Sequence, residues 1–147
     1  MSFTVIIPAR FDSSRLPGKP LMKISGMTMI ERVYAQSKKS HADRVIVATD
    51  SKKIFDEVIL FGGQACMTSS HHQSGTDRLQ EVAKLLDLPF IDTDIEIEKA
   101  AGLTIEEIFN NFGEDYFRDG EKKVLTRILS GEPSILATGG GSFMNPI

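Results

Sequence analysis

The sequence has one cysteine in 147 residues, Cys66, so no internal disulfide can form and packing must hold the fold. Tryptophan is absent and only two tyrosines occur, which excludes nothing by itself. There is no basic excess: 17 Lys and Arg against 20 Asp and Glu leave a net charge of −3. That balance argues against a nucleic-acid partner, which usually demands a basic face. No apolar run approaches the ~20 residues needed to span a bilayer, so no membrane partner is expected. The opening "MSFTVIIPAR" carries no basic stretch ahead of its apolar residues and does not read as a signal peptide. Repeats, low-complexity tracts and an obvious linker are also missing. What remains is a chain the length of one ordinary domain, 41% hydrophobic, enough to build a core. The expectation is a soluble cytoplasmic α/β protein.

Strand and helix patterns alternate along the chain. "FTVIIPA" (3–9) is a β-branched apolar run that predicts a strand buried on both faces, as in parallel sheets. "RFDSSRLPGKPL" (10–21) predicts a loop. Residues 27–40 predict a helix with Met29, Ile30, Val33 and Ser37 on one side. A strand at 44–50 follows, then a helix at 51–63 with Ser51 as N-cap and Gly62 as its stop. A weaker strand is expected at 64–69. Leu79, Val82, Ala83 and Leu86 fall at i, i+3, i+4, i+7, one face of a helix at 76–88 that Pro89 ends. "PFIDTD" (89–94) predicts a fourth strand. Residues 95–130 are helical in pieces, broken at Gly102 and Gly113, with Thr104 as an N-cap and Ile105, Ile108 and Phe112 behind it. A fifth strand, 134–142, ends in glycines. Such alternation predicts a parallel sheet with helices on both faces.

The first strand delivers a loop carrying Arg10, Arg15 and Lys19, stiffened by two prolines. Ligands of open α/β sheets sit beyond the carboxyl ends of strands. Three cations there suit a polyphosphate, which arginine can grip bidentately; the alternative is a solvated basic loop. "GKP" lacks the Ser or Thr that a Walker A loop places after its lysine. Taken together, "MSFTVIIPARFDSSRLPGKPL", "RVIVATD" and "CMTSSHHQSGTDRLQEV" resemble the start of the CMP-Kdo synthetases, the 3-deoxy-manno-octulosonate cytidylyltransferases, from Met1 to about Val82. Those enzymes join CTP and Kdo into CMP-Kdo for lipopolysaccharide, releasing pyrophosphate. The resemblance implies that Arg10, Ser13, Arg15 and Lys19 lie along a triphosphate and that Gln73, Ser74, Gly75 and Arg78 line the cytidine side. Asp12 departs from the pattern, standing where the family more often has a small residue.

A second set of motifs follows. Asp92 and Asp94 sit two apart at a strand end, where period-2 alternation points both to one side, an arrangement that suits Mg²⁺ and a polyol. Arg118 in "FRDGE" could grip a carboxylate, and Gly139, Gly140 and Gly141 would let a ligand approach backbone N–H groups. The alternative is helix-capping acids, a surface arginine and a plain turn. From Leu85 to about Pro146 the sequence resembles the central part of shikimate kinase, enzymes that phosphorylate shikimate from ATP. This resemblance implies shikimate contacts at Asp94, Arg118 and Gly139 to Gly141, and a water-mediated Mg²⁺ at Asp92. Glu121 belongs to the same match.

The two resemblances meet between Val82 and Leu85. The 147 residues hold no counterpart of the cytidylyltransferase Gly-Asp-Glu-Pro-like strand end whose Asp holds Mg²⁺. They hold no Walker A loop or lid of the kinase either. His71 and His72 read as loop residues. The implied chain is a hybrid of residues 1–83 and 84–147 in one α/β domain, without a complete activity, in which weak nucleotide binding with Mg²⁺ is the most that is expected to survive. A cytidylyltransferase making CMP-Kdo and a shikimate-kinase-like phosphotransferase are the alternatives. The expected sheet is five-stranded and mostly parallel, of order 4-5-3-2-1, with the helix at 76–88 as its shared crossover.

Overall fold

The structure, a computed structural model, describes residues 3–12 and 16–139. The chain divides into two compact units, Met1–Val82 and Ala83–Ile147, the division falling within one helix. In the first unit, β1 (Thr4–Ala9), β4 (Arg44–Thr49) and β5 (Gln64–Met67) form a parallel sheet of order β1-β4-β5. Helix α1 (Met29–Lys38) follows a short hairpin, β2 (Lys23–Ile24) and β3 (Met27–Thr28), and α2 (Lys52–Leu60) joins β4 to β5. Helix α3 spans Gly75–Leu85. In the second unit, β6 (Phe90–Asp92) pairs in parallel with β7 (Ile135–Ala137), and α4 (Thr93–Ala101) and α5 (Ile105–Leu129) run between them.

The α/β class with parallel strands is as expected, but the single five-stranded sheet is not made among the described residues. The expected pairings 3-2-1 and 4-5 both form, as β5-β4-β1 in the first unit and β6-β7 in the second.

Burial follows strand position. Central β4 is sealed, with Val47, Ala48 and Thr49 each 0% exposed. The expectation that β1 is buried on both faces is corrected: β1 is an edge strand, half-buried from Thr4 to Ile7, exposed at Pro8 and buried only at Ala9. An edge also tolerates Pro8, which has no N–H to give a second neighbour. The first core gathers Ala9, Ile30, Val47, Ile54 and Val58, with Phe11, Leu21, Tyr34 and Phe61 against it. The second gathers Ile97, Ile108, Phe117 and Val124, with Leu103, Ile105 and Ile128 alongside.

The helix at 27–40 starts later than expected because Met27 and Thr28 pair with β2. Ser25 and Gly26 both have positive φ, 49° and 85°, the conformation of a two-residue hairpin turn. Its core face also shifts: Val33 is exposed and Tyr34 takes its place, one helical turn from Ile30. Phe112, expected behind Thr104, is instead half exposed and stacked on Tyr116 at 4.7 Å between ring centres. The chain breaks between them, since Gly113 has φ 81° and ψ 179° inside α5 and rotates the face that follows.

Candidate functional site

Strand β1 ends by projecting Arg10, whose guanidinium donates to the carbonyl of Gln73. The loop after Arg10 is closed by the Gly18 N–H donating to Phe11 O at 2.7 Å. Gly18 is required there twice over. Its φ is +71°, and a Cβ would stand 3.3 Å from the Phe11 ring. Closure places Lys19 at the start of a 3-10 turn, Lys19–Leu21, with its side chain exposed. Lys53 of α2 lies over the other partner of this closure, its ammonium 4.9 Å from the centre of the Phe11 ring. Asp12 is exposed, and Ser13 and Arg15 lie outside the described residues.

Across from Arg10, Gln73 leads into α3. Ser74 and Asp77 cap this helix reciprocally: the Asp77 N–H donates to Ser74 Oγ at 3.0 Å, and the Ser74 N–H donates to Asp77 Oδ2 at 3.0 Å. The Ser74 side chain first, and its backbone N–H second, hold the Asp77 carboxyl below its ordinary value. Gly75 turns close to β1, where a Cβ would meet the Pro8 ring at 3.4 Å. Arg10, Gln73, Ser74 and Gly75 are thus brought together beyond the carboxyl end of β1.

Arg78 is placed differently from the other residues expected on the cytidine side. It is 0% exposed. Its guanidinium donates to Asp50 Oδ2 at 2.8 Å, to Thr68 Oγ1 and to the Ser69 carbonyl at 3.4 Å, while Nε finds no partner among the described residues. Glu81, one turn on, accepts from the Ser69 N–H at 2.9 Å and pairs with His72. The Ser69 N–H first and His72 second keep the Glu81 carboxyl below its ordinary value. Burial and the nearby Glu81 carboxylate push the Cys66 thiol up. Asp50 and Glu81 lie within the motifs "RVIVATD" and "CMTSSHHQSGTDRLQEV", but the sequence alone assigns neither a role. Only their position on strand end and helix face could have singled them out.

In the second unit the strand alternation expected for Asp92 and Asp94 is not what forms. Strand β6 stops at Asp92, and Asp94 already lies in the first turn of α4. Asp92 is the N-cap: Oδ1 accepts from the Asp94 N–H at 3.0 Å and the Ile95 N–H at 3.5 Å. A carboxylate with open lone pairs favours a helix start over a longer strand. Thr93 is buried and its hydroxyl donates to the Ala137 carbonyl at 2.9 Å, tying α4 to β7. Partial enclosure, then the carboxylates of Asp92, Glu121 and Glu98, raise the Asp94 carboxyl above its ordinary value. Arg118 is held by Glu121 at 2.9 Å and Glu114 at 3.4 Å. Gly139 follows β7, and Gly140 and Gly141 lie outside the described residues. Among the described residues no three His, Cys, Asp or Glu side chains group as a metal cage.

The family model for cytidylyltransferases matches residues 4–124. The chain belongs to the cytidylyltransferase family. The match passes well beyond Val82, the expected end of that resemblance. A 3-deoxy-manno-octulosonate cytidylyltransferase from Saccharophagus degradans is 61% identical over 88 residues, 60% of this chain and 34% of that protein. A solved CMP:2-keto-3-deoxy-manno-octonic acid synthetase complexed with CTP is 50% identical, covers 57% of this chain and 36% of its own, and has a TM-score of 0.54. A shikimate kinase from Acinetobacter baumannii, solved with shikimate, is 40% identical over 48% of this chain and 40% of its own, with a TM-score of 0.46. The chain spans about a third to a half of the length of the curated cytidylyltransferases it matches.

Proposed function

We propose that the first unit binds CTP as the nucleotide segment of a CMP-Kdo-forming cytidylyltransferase. The observation that carries this reading is the bond from Arg10 to the Gln73 carbonyl, which joins a cationic loop to a polar helix start beyond the carboxyl end of β1. Ligands of open α/β sheets collect at such a place. Arg10, Ser13, Arg15 and Lys19 would follow the triphosphate, and Gln73, Ser74 and Gly75 would face the cytidine. In the proposed complex Arg10 exchanges a carbonyl partner for a phosphate, a stronger charge-assisted bond. Mg²⁺ would arrive with the nucleotide. The chain has no Gly-Asp-Glu-Pro-like strand end, so the reading has it bind CTP without transferring the cytidylyl group to Kdo.

A calorimetric titration with CTP, with and without Mg²⁺, tests this. Saturable binding weakened at least about tenfold in Lys19→Ala is expected, the size of one lost ionic contact to phosphate. Equal affinity in Lys19→Ala, or no saturation, sinks the reading. Pyrophosphate release from CTP plus Kdo would overturn its second half.

A second reading concerns residues 85–146, whose motif order supports a shikimate-kinase-like segment of a hybrid chain. Its specific support is the carboxylate crowding at Asp94 beside Glu121, which in turn holds Arg118. Asp94, Arg118 and Gly139 to Gly141 would take a hydroxylated carboxylic acid. Asp92 Oδ1 is engaged as a cap, and its second oxygen suits a water-mediated Mg²⁺. Shikimate binding abolished by Arg118→Ala supports this reading, and absence of binding to the intact chain removes it.

A further inference from the structure

We infer that Arg78 and Glu81 form a clamp inside α3 that positions the turn at Gln73 to Gly75 without touching nucleotide. This inference rests on the CTP reading of that turn. The two side chains lie three residues apart, so they share one face of the helix. Each grips the segment 68–72 that runs from the end of β5 toward the turn. Arg78 binds the Thr68 hydroxyl and the Ser69 carbonyl, and anchors both to Asp50 at the end of β4. Glu81 takes the N–H of the same Ser69 and the imidazole of His72. Both backbone groups of Ser69 are therefore held from one helix, on its two sides. The next residue after His72 is Gln73, whose carbonyl receives Arg10.

The chemistry separates holding from binding. Arg78 is sealed, and its guanidinium is committed to three oxygens of the fold. Moving it toward a base would strand the Asp50 carboxylate, half of a largely buried ion pair, and leaving such a charge unpaired is costly. A clamp of this kind acts on the groups that read the base, and meets the phosphate loop only at the Gln73 carbonyl that Arg10 gives up when it takes a phosphate. Base affinity and phosphate affinity should thus respond separately.

The test uses Glu81→Ala in the full chain, since Glu81 is partly exposed and its loss leaves the buried Arg78 pair in place. Arg78→Lys is the second variant. Three quantities are measured: binding of CTP, binding of inorganic tripolyphosphate, and hydrogen exchange of the ligand-free chain. Expected are CTP binding weakened about tenfold, one charge-assisted bond's worth, with tripolyphosphate binding unchanged and faster exchange at the amides of 69–74. If both ligands weaken together, the effect is general and the clamp is wrong. If exchange at 69–74 and CTP binding stay as in the unaltered chain, the clamp is likewise wrong. Should the unaltered chain fail to bind CTP, the CTP reading falls, and the exchange measurement alone still decides whether Glu81 holds the segment.

Discussion

Gly18 shows how much one residue can decide. It closes the loop after β1 with a positive φ, and a Cβ there would crowd the Phe11 ring. Gly18→Ala should destabilise the first unit by at least about 1–2 kcal/mol, the cost of a left-handed non-glycine residue, measured by urea unfolding. Arg10 and Lys19 were visible in the sequence as cations beside prolines at a strand end, a pattern that a solvated basic loop shares. Glu81 was not, because a glutamate in a helix is ordinary until its partner across the turn is known. Asp94 gives a residue-scale prediction with a sign. Its carboxyl is raised, so its ionised form costs stability above the folded value, and the cost disappears as pH falls toward the unfolded value. Asp94→Asn should therefore raise the melting temperature at pH 7, with the gain shrinking as the solution is acidified, read by scanning calorimetry.

At the scale of elements, helix ends were the most legible features. Gly62, with φ +81°, lets the Gly63 N–H reach Val58 O at 2.8 Å and the Gly62 N–H reach Ile59 O at 3.0 Å, closing α2 as expected. The same pair of bonds closes α3, from Leu88 N–H to Ala83 O at 3.0 Å and from Asp87 N–H to Lys84 O at 3.2 Å. Asp87 takes the left-handed position there, with φ 52°, so α3 stops at Leu85, short of the end that Pro89 implied. Thr104 and Glu107 form a full capping box. Thr104→Ala should cost about 1 kcal/mol and speed exchange of the first amides of α5. The hairpin at 23–28 went unread because its strands are two residues each, too short for any alternation to register.

At the scale of the whole molecule, each of the two units has a core of its own among the described residues. Ile54→Ala and Ile108→Ala each empty a fully enclosed position, 0% and 1% exposed. Each should cost about 2–5 kcal/mol, read as lost amide protection in the unit that carries it. Acid acts through carboxylates bound to backbone N–H groups. Glu81 and Glu107 are both held below their ordinary values, by Ser69 with His72 and by Thr104. Their contribution is complete above the unfolded carboxylate value and is lost as pH falls through the lowered folded one. A pH series of hydrogen exchange should show 69–72 and the start of α5 loosening in that acid range, and Glu81→Gln should remove the pH dependence at 69–72. None of the described helices is long and apolar enough to cross a membrane.

The sequence by itself determined most of the local pieces: the longer strands, the Thr104 cap and the Gly62 stop, the breaks at Gly102 and Gly113, and the cationic loop after β1. These follow from period, capping chemistry and glycine geometry, all of which act over a few residues. Tertiary structure alone decided which strands pair, that β1 is an edge, and that Arg78 faces inward to Asp50 and Thr68. Each of these depends on which distant segment arrives beside a residue. Burial and pairing energies are set by that arrival, and no local pattern encodes it.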